Sequence, residues 1–156
     1  MVVESTLDLA YLGFFLGARI NELVRARGAK RGFPGMRDSY GYLIQHLIEK
    51  DRTISELAAR MEISQQAVSK FVAEMARHGT VEYVPTRDGR VTTVRLSKRG
   101  WEAVRFARRT RAQLERRLQK AVGQQRYREA QQVLAACLAA LGGLQRVRTR
   151  RVLLPR

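Results

Sequence analysis

The spacing of apolar residues between positions 53 and 77 predicts two short helices joined by a tight turn. On the first helix the apolar residues recur on one face, which is formed by Ile54, Leu57, Ala58 and Met61. On the second helix the stripe predicted to be buried comprises Ala67, Val68, Phe71, Val72 and Met75. Thr53 and Glu56 have capping-box spacing, so the first helix is predicted to begin after Thr53. The whole pattern is that of a helix-turn-helix.

The second helix has predicted ends and a polar face. Ser64 is a good N-cap, and Gly79 is a suitable stop because glycine reaches a left-handed cap at little cost. The polar residues exposed at the helix start are Gln65, Gln66, Ser69 and Lys70. Glutamine and serine can hydrogen-bond to base edges, and lysine can reach a guanine or a phosphate. An ordinary solvated helix face is the alternative interpretation.

Two runs rich in β-forming residues, at positions 80–85 and 91–96, predict a hairpin. The residues between them are Thr86, Arg87, Asp88, Gly89 and Arg90. Asp-Gly favours a hairpin turn because glycine supplies the positive φ that tight turns need. Arg87 and Arg90 lie near the predicted tip, from which an arginine can enter the minor groove of DNA. Arginines that serve only solubility are the alternative, but a hairpin wing after a helix-turn-helix is built to enter duplex DNA.

The flanking segments are predicted to be helical and unusually apolar. A helix from about residue 36 to residue 49 has a core-facing side formed by Tyr40, Leu43, Ile44, Leu47 and Ile48. The helix from residue 7 to about residue 27 is apolar on more than one face. The stretch at residues 133–141 of the last helix is also apolar. Breaks are predicted at Gly123 and at Gly142 and Gly143. Because the DNA-binding segment alone cannot cover both apolar helices, we expect a two-fold interface with a second copy.

The chain is strongly basic, which changes the picture of its partners. It has 156 residues, 30 Lys and Arg against 14 Asp and Glu, and a net charge of +16. Such a chain is drawn to polyanions by counterion release. The helix after the wing is rich in arginine, and residues 146–156 form a basic tail. Both are interpreted as solvated segments that add electrostatic affinity, with a second phosphate-contacting surface as the alternative.

The segment resembles MarR-type winged-helix transcription regulators. The matching residues of the helix-turn-helix are Leu57, Ala58, Ser64, Val68, Ser69, Val72 and Gly79. The family's wing pattern D-x-R-x-x-x-V-x-L is met by Asp88, Arg90, Val94 and Leu96. The chain departs from the family at Gly89, where many members have arginine, and at Tyr83, where arginine is frequent. The resemblance implies a homodimer with N- and C-terminal dimerisation helices, and a repressor in a bacterial cytoplasm.

The resemblance also implies a pocket for a small aromatic or phenolic anion between the dimerisation helices and the winged module. The residues expected to form it are Tyr11, Phe15, Arg19, Tyr40 and Tyr42, with Phe14 beside them. Core packing explains these aromatic residues equally well. Relatives that sense peroxide use a cysteine near the N-terminus, whereas the one cysteine here, Cys137, lies in an apolar helix and is expected to pack as a small hydrophobe.

The sequence contains none of the common catalytic or cofactor-binding motifs. There is no nucleotide-binding glycine loop, no His-Glu-x-x-His pattern and no pair of cysteines, so we predict neither an enzyme nor a cofactor or metal. His46 and His78 are expected to be structural. The apolar run at residues 9–18 is too short to span a bilayer, which needs about 20 residues, and no basic segment precedes it as in a signal peptide. One cysteine is consistent with a reducing cytoplasm.

These observations predict a mainly α (α+β) protein with a winged helix-turn-helix and N- and C-terminal dimerisation helices. The DNA-binding module is expected at residues 36–100, the helical dimerisation region at 1–35 and 101–145, and the tail at 146–156. The predicted function is sequence-specific binding of an inverted repeat in duplex DNA by a cytoplasmic, nucleoid-associated homodimer, with Ser64 added to the contacts named above. The alternatives are an architectural protein that coats DNA, and a protein-interaction module on the same fold.

Overall fold

The computed structural model describes residues 7–35, 37–85 and 92–145, and the described part is mainly helical. In chain order the elements are α1 (Leu9–Lys30), α2 (Asp38–Leu47), β1 (Arg52–Thr53), α3 (Ile54–Met61), α4 (Gln65–Arg77), β2 (Val81–Pro85), β3 (Thr92–Leu96), α5 (Lys98–Val122) and α6 (Gln124–Ala140). The predicted fold class, helices with a small antiparallel sheet in a winged helix-turn-helix, is confirmed.

The two helices of the helix-turn-helix begin at the residues that the sequence predicts. The Thr53 amide donates to Glu56 Oε2 at 2.8 Å, and the Glu56 amide donates back to Thr53 Oγ1 at 3.1 Å. These reciprocal hydrogen bonds form the capping box of α3. Ser64 Oγ accepts from the Ala67 amide at 3.1 Å and caps α4. Gly79 follows α4 with a φ of 69°, as a glycine stop requires.

Glu62 makes the turn between α3 and α4, and no sequence signal indicates it. It has a φ of 55°, the left-handed region that non-glycine residues adopt uncommonly. Its amide donates to the Ala58 carbonyl, so the left-handed residue closes the last turn of α3. The chain can then reverse direction within the few residues that separate the two helices.

The sheet has three strands in the order β1-β3-β2, all antiparallel to their neighbours. β2 and β3 pair from Val81 opposite Leu96 to Pro85 opposite Thr92, which confirms the predicted hairpin strands. The predicted turn residues, Thr86 to Arg90, lie outside the described residues, as does Val91. The sequence does not predict β1, in which Arg52 pairs with Val94.

The core lies between α2, the helix-turn-helix and the sheet. Its most deeply buried large side chains are Leu43, Leu57, Val68, Val72, Met75 and Val94. The predicted apolar faces of α2, α3 and α4 therefore point inward, although Ile54 and Phe71 are only partly buried against this core. Side chains of α4 and of the wing strands therefore share one core, which holds α4 against the wing.

The terminal helices are far less covered. α1 packs on α5, but its first buried residue is Val24. α6 has no buried residue. The large apolar side chains exposed on and beside these two helices are Leu7, Leu9, Tyr11, Leu12, Phe14, Phe15, Leu16, Val133, Leu134, Leu138 and Leu141. The predicted excess of apolar surface is confirmed, as are the breaks at Gly123 and Gly142, which have positive φ values. α1 extends beyond its predicted end, to Lys30.

Candidate nucleic-acid interface

The predicted contact residues of α4 share the exposed face of its first two turns. Ser64, Gln65, Gln66, Ser69 and Lys70 are all exposed. On the opposite face, Val68, Val72 and Met75 are fully buried in the core, and Ala67 and Phe71 are partly buried. The helix N-terminus carries the positive end of the helix dipole, which favours an anion such as a phosphate. The arrangement therefore presents hydrogen-bonding groups and positive potential together.

A contact between α2 and α4 fixes the orientation of this helix. Arg37 forms an ion pair with Glu74 at 3.1 Å between a guanidinium nitrogen and Oε1. The ring of Tyr40 packs edge-on against Phe71, with 6.4 Å between centroids. Burial, and then the nearby Glu74 carboxylate, raises the pKa of Tyr40 to about 12. The Tyr40 hydroxyl approaches that carboxylate but makes no hydrogen bond of standard geometry among the described residues.

The wing is joined to α4 by a tightly packed corner. Thr80 Oγ1 donates to the Met75 carbonyl at 2.8 Å, and Ser97 Oγ donates to the Gly79 carbonyl at 2.5 Å. Ser97 Oγ also accepts from the Gly100 amide at 3.0 Å and caps α5. A Cβ atom at Gly100 would lie 2.0 Å from the Thr80 carbonyl oxygen. The end of α4, the base of the wing and the start of α5 therefore form one rigid corner.

The strands of the wing carry their own stabilising contacts. Arg95 Nε donates to Glu82 Oε1 at 2.6 Å across the hairpin. Thr93 Oγ1 donates to the Val84 carbonyl at 3.2 Å. Arg87 and Arg90 lie outside the described residues, so their contact with DNA remains a prediction.

β1 closes the wing on the side away from β2. Arg52, of which only 2% is exposed, donates from Nε to the His46 carbonyl at 2.9 Å and pairs with Glu49 at 2.6 Å. A buried arginine with these partners ties the end of α2 to the sheet. Sequence reasoning missed it because a two-residue strand has no recognisable period.

The residues expected to form a ligand pocket fall into two sets. Tyr11 and Phe15 lie on the exposed half of α1, with 5.6 Å between ring centroids, and Arg19 beside them pairs with Glu22 at 2.7 Å. Tyr40 belongs to the core, and Tyr42 is partly buried against it. A pocket that combines the two sets stays a prediction. A cleft that the sequence did not indicate lies instead between α1 and α5.

The described residues offer no cluster suited to a metal ion: no group of three or more His, Cys, Asp or Glu side chains comes together among them. His46 is buried in α2, and His78 caps the C-terminal end of α4 against Gly35. Cys137 is half-buried on α6. Of the helices in the described ranges, none combines the length and apolar character needed to cross a membrane.

Residues 35–90 match the sequence model of the MarR family. They extend from the turn before α2 to the segment that follows β2, and so contain the whole helix-turn-helix. No curated protein matches the chain in sequence.

Solved structures share the fold over most of the chain. The YusO protein of Bacillus subtilis is 17% identical, with a TM-score of 0.68 over 85% of this chain and 94% of that one. A MarR family protein of Bacillus stearothermophilus is 20% identical, with a TM-score of 0.62 over 91% and 96%. A MepR variant of Staphylococcus aureus bound to an oligodeoxyribonucleotide is 13% identical, with a TM-score of 0.63 over 86% and 99%. The resemblance to MarR-type winged-helix regulators is confirmed, and the fold is theirs.

Proposed function

We propose, from the MarR-type winged helix-turn-helix of this chain, that the protein is a sequence-specific DNA-binding transcription regulator. The observation that carries the proposal is the exposed row of polar side chains on the first two turns of α4, opposite the buried side chains of Val68, Val72 and Met75. A helix anchored in this way can enter the major groove, where each base pair presents a distinct pattern of donors and acceptors. The net charge of +16 adds affinity for the phosphate backbone.

The proposed acting species is a homodimer. The exposed apolar residues of α1 and α6 lie at the two ends of the chain and outside the winged module. A second copy would cover both by a two-fold interface. The two copies of α4 would then enter successive major grooves, so the half-sites of an inverted repeat would lie about 10 base pairs apart.

Repression, and its relief by a small aromatic ligand, complete the proposal. They come from the resemblance to the family, and the DNA-bound MepR variant supports contact with DNA by this fold. The proposal assigns no catalytic step and places the protein in the cytoplasm with the nucleoid. It also keeps the expected division into a winged module at 36–100, a helical dimerisation region and a basic tail.

A competition titration on a duplex recovered by genomic footprinting tests the proposal. Gln66→Ala should cost about 1–3 kcal/mol on the recovered site and much less on random duplex, because one base contact is lost. Gln119→Ala, which removes the same side chain from a partly exposed position on α5, is the matched control and should bind as the parent does.

Two alternatives give different results in the same titration. An architectural protein that coats DNA would lose its complex to excess random duplex and to moderate salt, whereas base readout survives both. A protein-interaction module would give no footprint. Equal losses on specific and random duplex for Gln66→Ala would reject base readout by this residue.

A further inference from the structure

A cleft of about 770 Å³ lies between the second half of α1, the loop that follows it and the first half of α5. We call it the basic cleft. The cationic side chains that line it are Arg27, Lys30, Arg31, Arg105 and Arg109. Glu102 is the one acidic residue of the lining. Five positive charges against one negative charge give the cleft a positive potential that attracts an anion.

The charges of the basic cleft are not neutralised within the described part of the chain. Arg25, on the same helix, pairs with Asp38 at 2.6 Å. None of the five cations of the cleft has a side-chain nitrogen within 4.0 Å of a carboxylate oxygen of a described residue. Arg27 instead faces the neutral Gln113, with 3.5 Å between donor and acceptor. The cations are therefore available to an external anion.

The basic cleft is an open groove between two helices, with apolar as well as charged residues in its lining. Phe33 and Phe106 pack against each other in its lining, with 5.8 Å between ring centroids. Thr110 is buried in the lining, with 3% exposed. The volume falls within the range of sites for small molecules, which is about 300–1,000 Å³. A concave site with an apolar wall is suited to a compact ligand that can enter it. The backbone of a DNA duplex is instead contacted by side chains that project from a surface.

The basic cleft lies apart from the base-reading surface. Arg99 stacks over the Phe33 ring at 5.6 Å and donates to the Gly32 carbonyl, which fixes the loop at the entrance to α5. The same loop brings Gly35 against His78, at the C-terminal end of α4. The predicted base contacts are at the other end of α4, a helix of 13 residues and about 20 Å. Base recognition does not account for the charge of the cleft.

We propose that the basic cleft binds a small molecule that carries two or more linked phosphate groups, of the nucleoside di- or triphosphate class. Linked phosphates place several negative charges within a few ångströms, and guanidinium groups contact phosphate oxygens in a bidentate manner. Arg105 and Arg109 are one turn apart on α5, and Lys30 and Arg31 face them from the end of α1. This inference does not rest on the proposed regulation of transcription.

Calorimetric titration of the full-length protein at constant ionic strength tests the proposal. The probes are ATP without divalent cations, inorganic tripolyphosphate and adenosine. ATP and tripolyphosphate should each bind once per chain, and adenosine should not bind. The double variant Arg105→Ala/Arg109→Ala should weaken ATP binding at least about ten-fold, because charge-assisted hydrogen bonds are lost.

The matched control removes the same charge from the same helix. Arg108→Ala/Arg116→Ala changes two exposed arginines of α5 that do not line the basic cleft, and ATP affinity should change less than about two-fold. Arg31→Ala, on the opposite wall, is an independent variant if the double variant on α5 unfolds. Thermal unfolding of each variant establishes that it is folded.

Three outcomes would overturn the proposal. If the cleft and control variants lose equal ATP affinity, the attraction is a general effect of charge. If neither ATP nor tripolyphosphate binds at millimolar concentration, the cleft is not a polyphosphate site. If the cleft variants keep their ATP affinity but bind duplex DNA less tightly than the control, the cleft is a contact for the DNA backbone instead.

Discussion

At the scale of single residues, Glu56 links the start of the helix-turn-helix to pH. The Thr53 amide donates a hydrogen bond to its carboxylate, and this bond lowers the pKa of Glu56 below its ordinary value. A carboxyl whose pKa is lower in the folded state stabilises the fold above its unfolded pKa, and the contribution disappears as the pH falls through the folded pKa. The capping box should therefore weaken in acid.

Glu56→Gln tests this link. The free energy of unfolding should be lower for the variant than for the parent at pH 7, and the difference should shrink as the pH falls below about 4.5. Urea denaturation from pH 3 to pH 7, at one protein concentration, measures it. Glu115→Gln controls for the loss of one charge from a partly exposed position of α5 outside the basic cleft. A difference that does not vary with pH would show that the ionised capping box contributes nothing.

Residues whose role depends on local chemistry were predictable from the sequence, whereas others were not. Thr53, Ser64 and Gly79 act within four residues of their partners, so their spacing indicates their function. Glu62 adopts a left-handed conformation without the usual glycine or asparagine, because the surrounding helices impose it. The buried position of Arg52 follows from its pairing with β3, about forty residues away in the chain, and no local pattern encodes such a contact.

At the scale of the elements, the corner between α4, the wing and α5 has no room for a side chain at Gly100. Gly100→Ala should lower the free energy of unfolding by about 2–3 kcal/mol, because the new Cβ atom meets the Thr80 carbonyl and the backbone must shift. Gly41→Ala is the control, since nothing lies within 4 Å of its Cβ position on α2. This change should stabilise the protein by about 0.5–1 kcal/mol. Denaturant unfolding compares the two, and equal effects would contradict the crowding at Gly100.

The wing is the second element with a prediction of its own. Arg90→Ala should weaken binding to every duplex and reduce the salt dependence by about one charge, because Arg90 is expected to contact the backbone near the tip. A larger loss at A·T-rich flanks would indicate insertion into the minor groove. Arg116→Ala on α5 is the control for charge. Unchanged binding of Arg90→Ala over a series of salt concentrations would remove the wing from the DNA interface.

The basic cleft is a feature of the packing between elements that could not be predicted from the sequence. The arginines of α5 were visible as a basic run, and those of α1 belong to an ordinary amphipathic helix. Only the packing of α1 on α5 brings side chains more than seventy positions apart into one lining. The hairpin and the helix-turn-helix were predictable because their parts are adjacent in the chain.

At the scale of the whole molecule, the exposed apolar residues of the terminal helices predict a stable dimer. Phe14 is 70% exposed in the single chain, and it belongs to a cluster of exposed apolar side chains on α1. Monomeric proteins rarely leave a large apolar patch of this kind uncovered. The parent should sediment at twice the 17.8 kDa of one chain. Phe14→Glu should dissociate or aggregate, because a buried, unpaired charge costs several kcal/mol.

Tyr83→Glu is the matched control for this change. It places the same charge on an exposed aromatic position of the wing, 48% exposed and remote from the terminal helices, and it should remain dimeric. Analytical ultracentrifugation distinguishes the species. A parent that sediments as a folded monomer at micromolar concentration would reject the two-fold interface.

The 25-residue length of α5 means that a small rotation at one end of the helix produces a large displacement at the other. The helix is about 37 Å long, and it runs without a break from the rigid corner at Gly100 to the joint at Gly123. A pivot of roughly 5° at one end displaces the other by about 3 Å. In a dimer related by a two-fold axis the displacement occurs in both protomers. The distance between the two copies of α4 then changes by twice that amount, which is close to the rise of two base pairs.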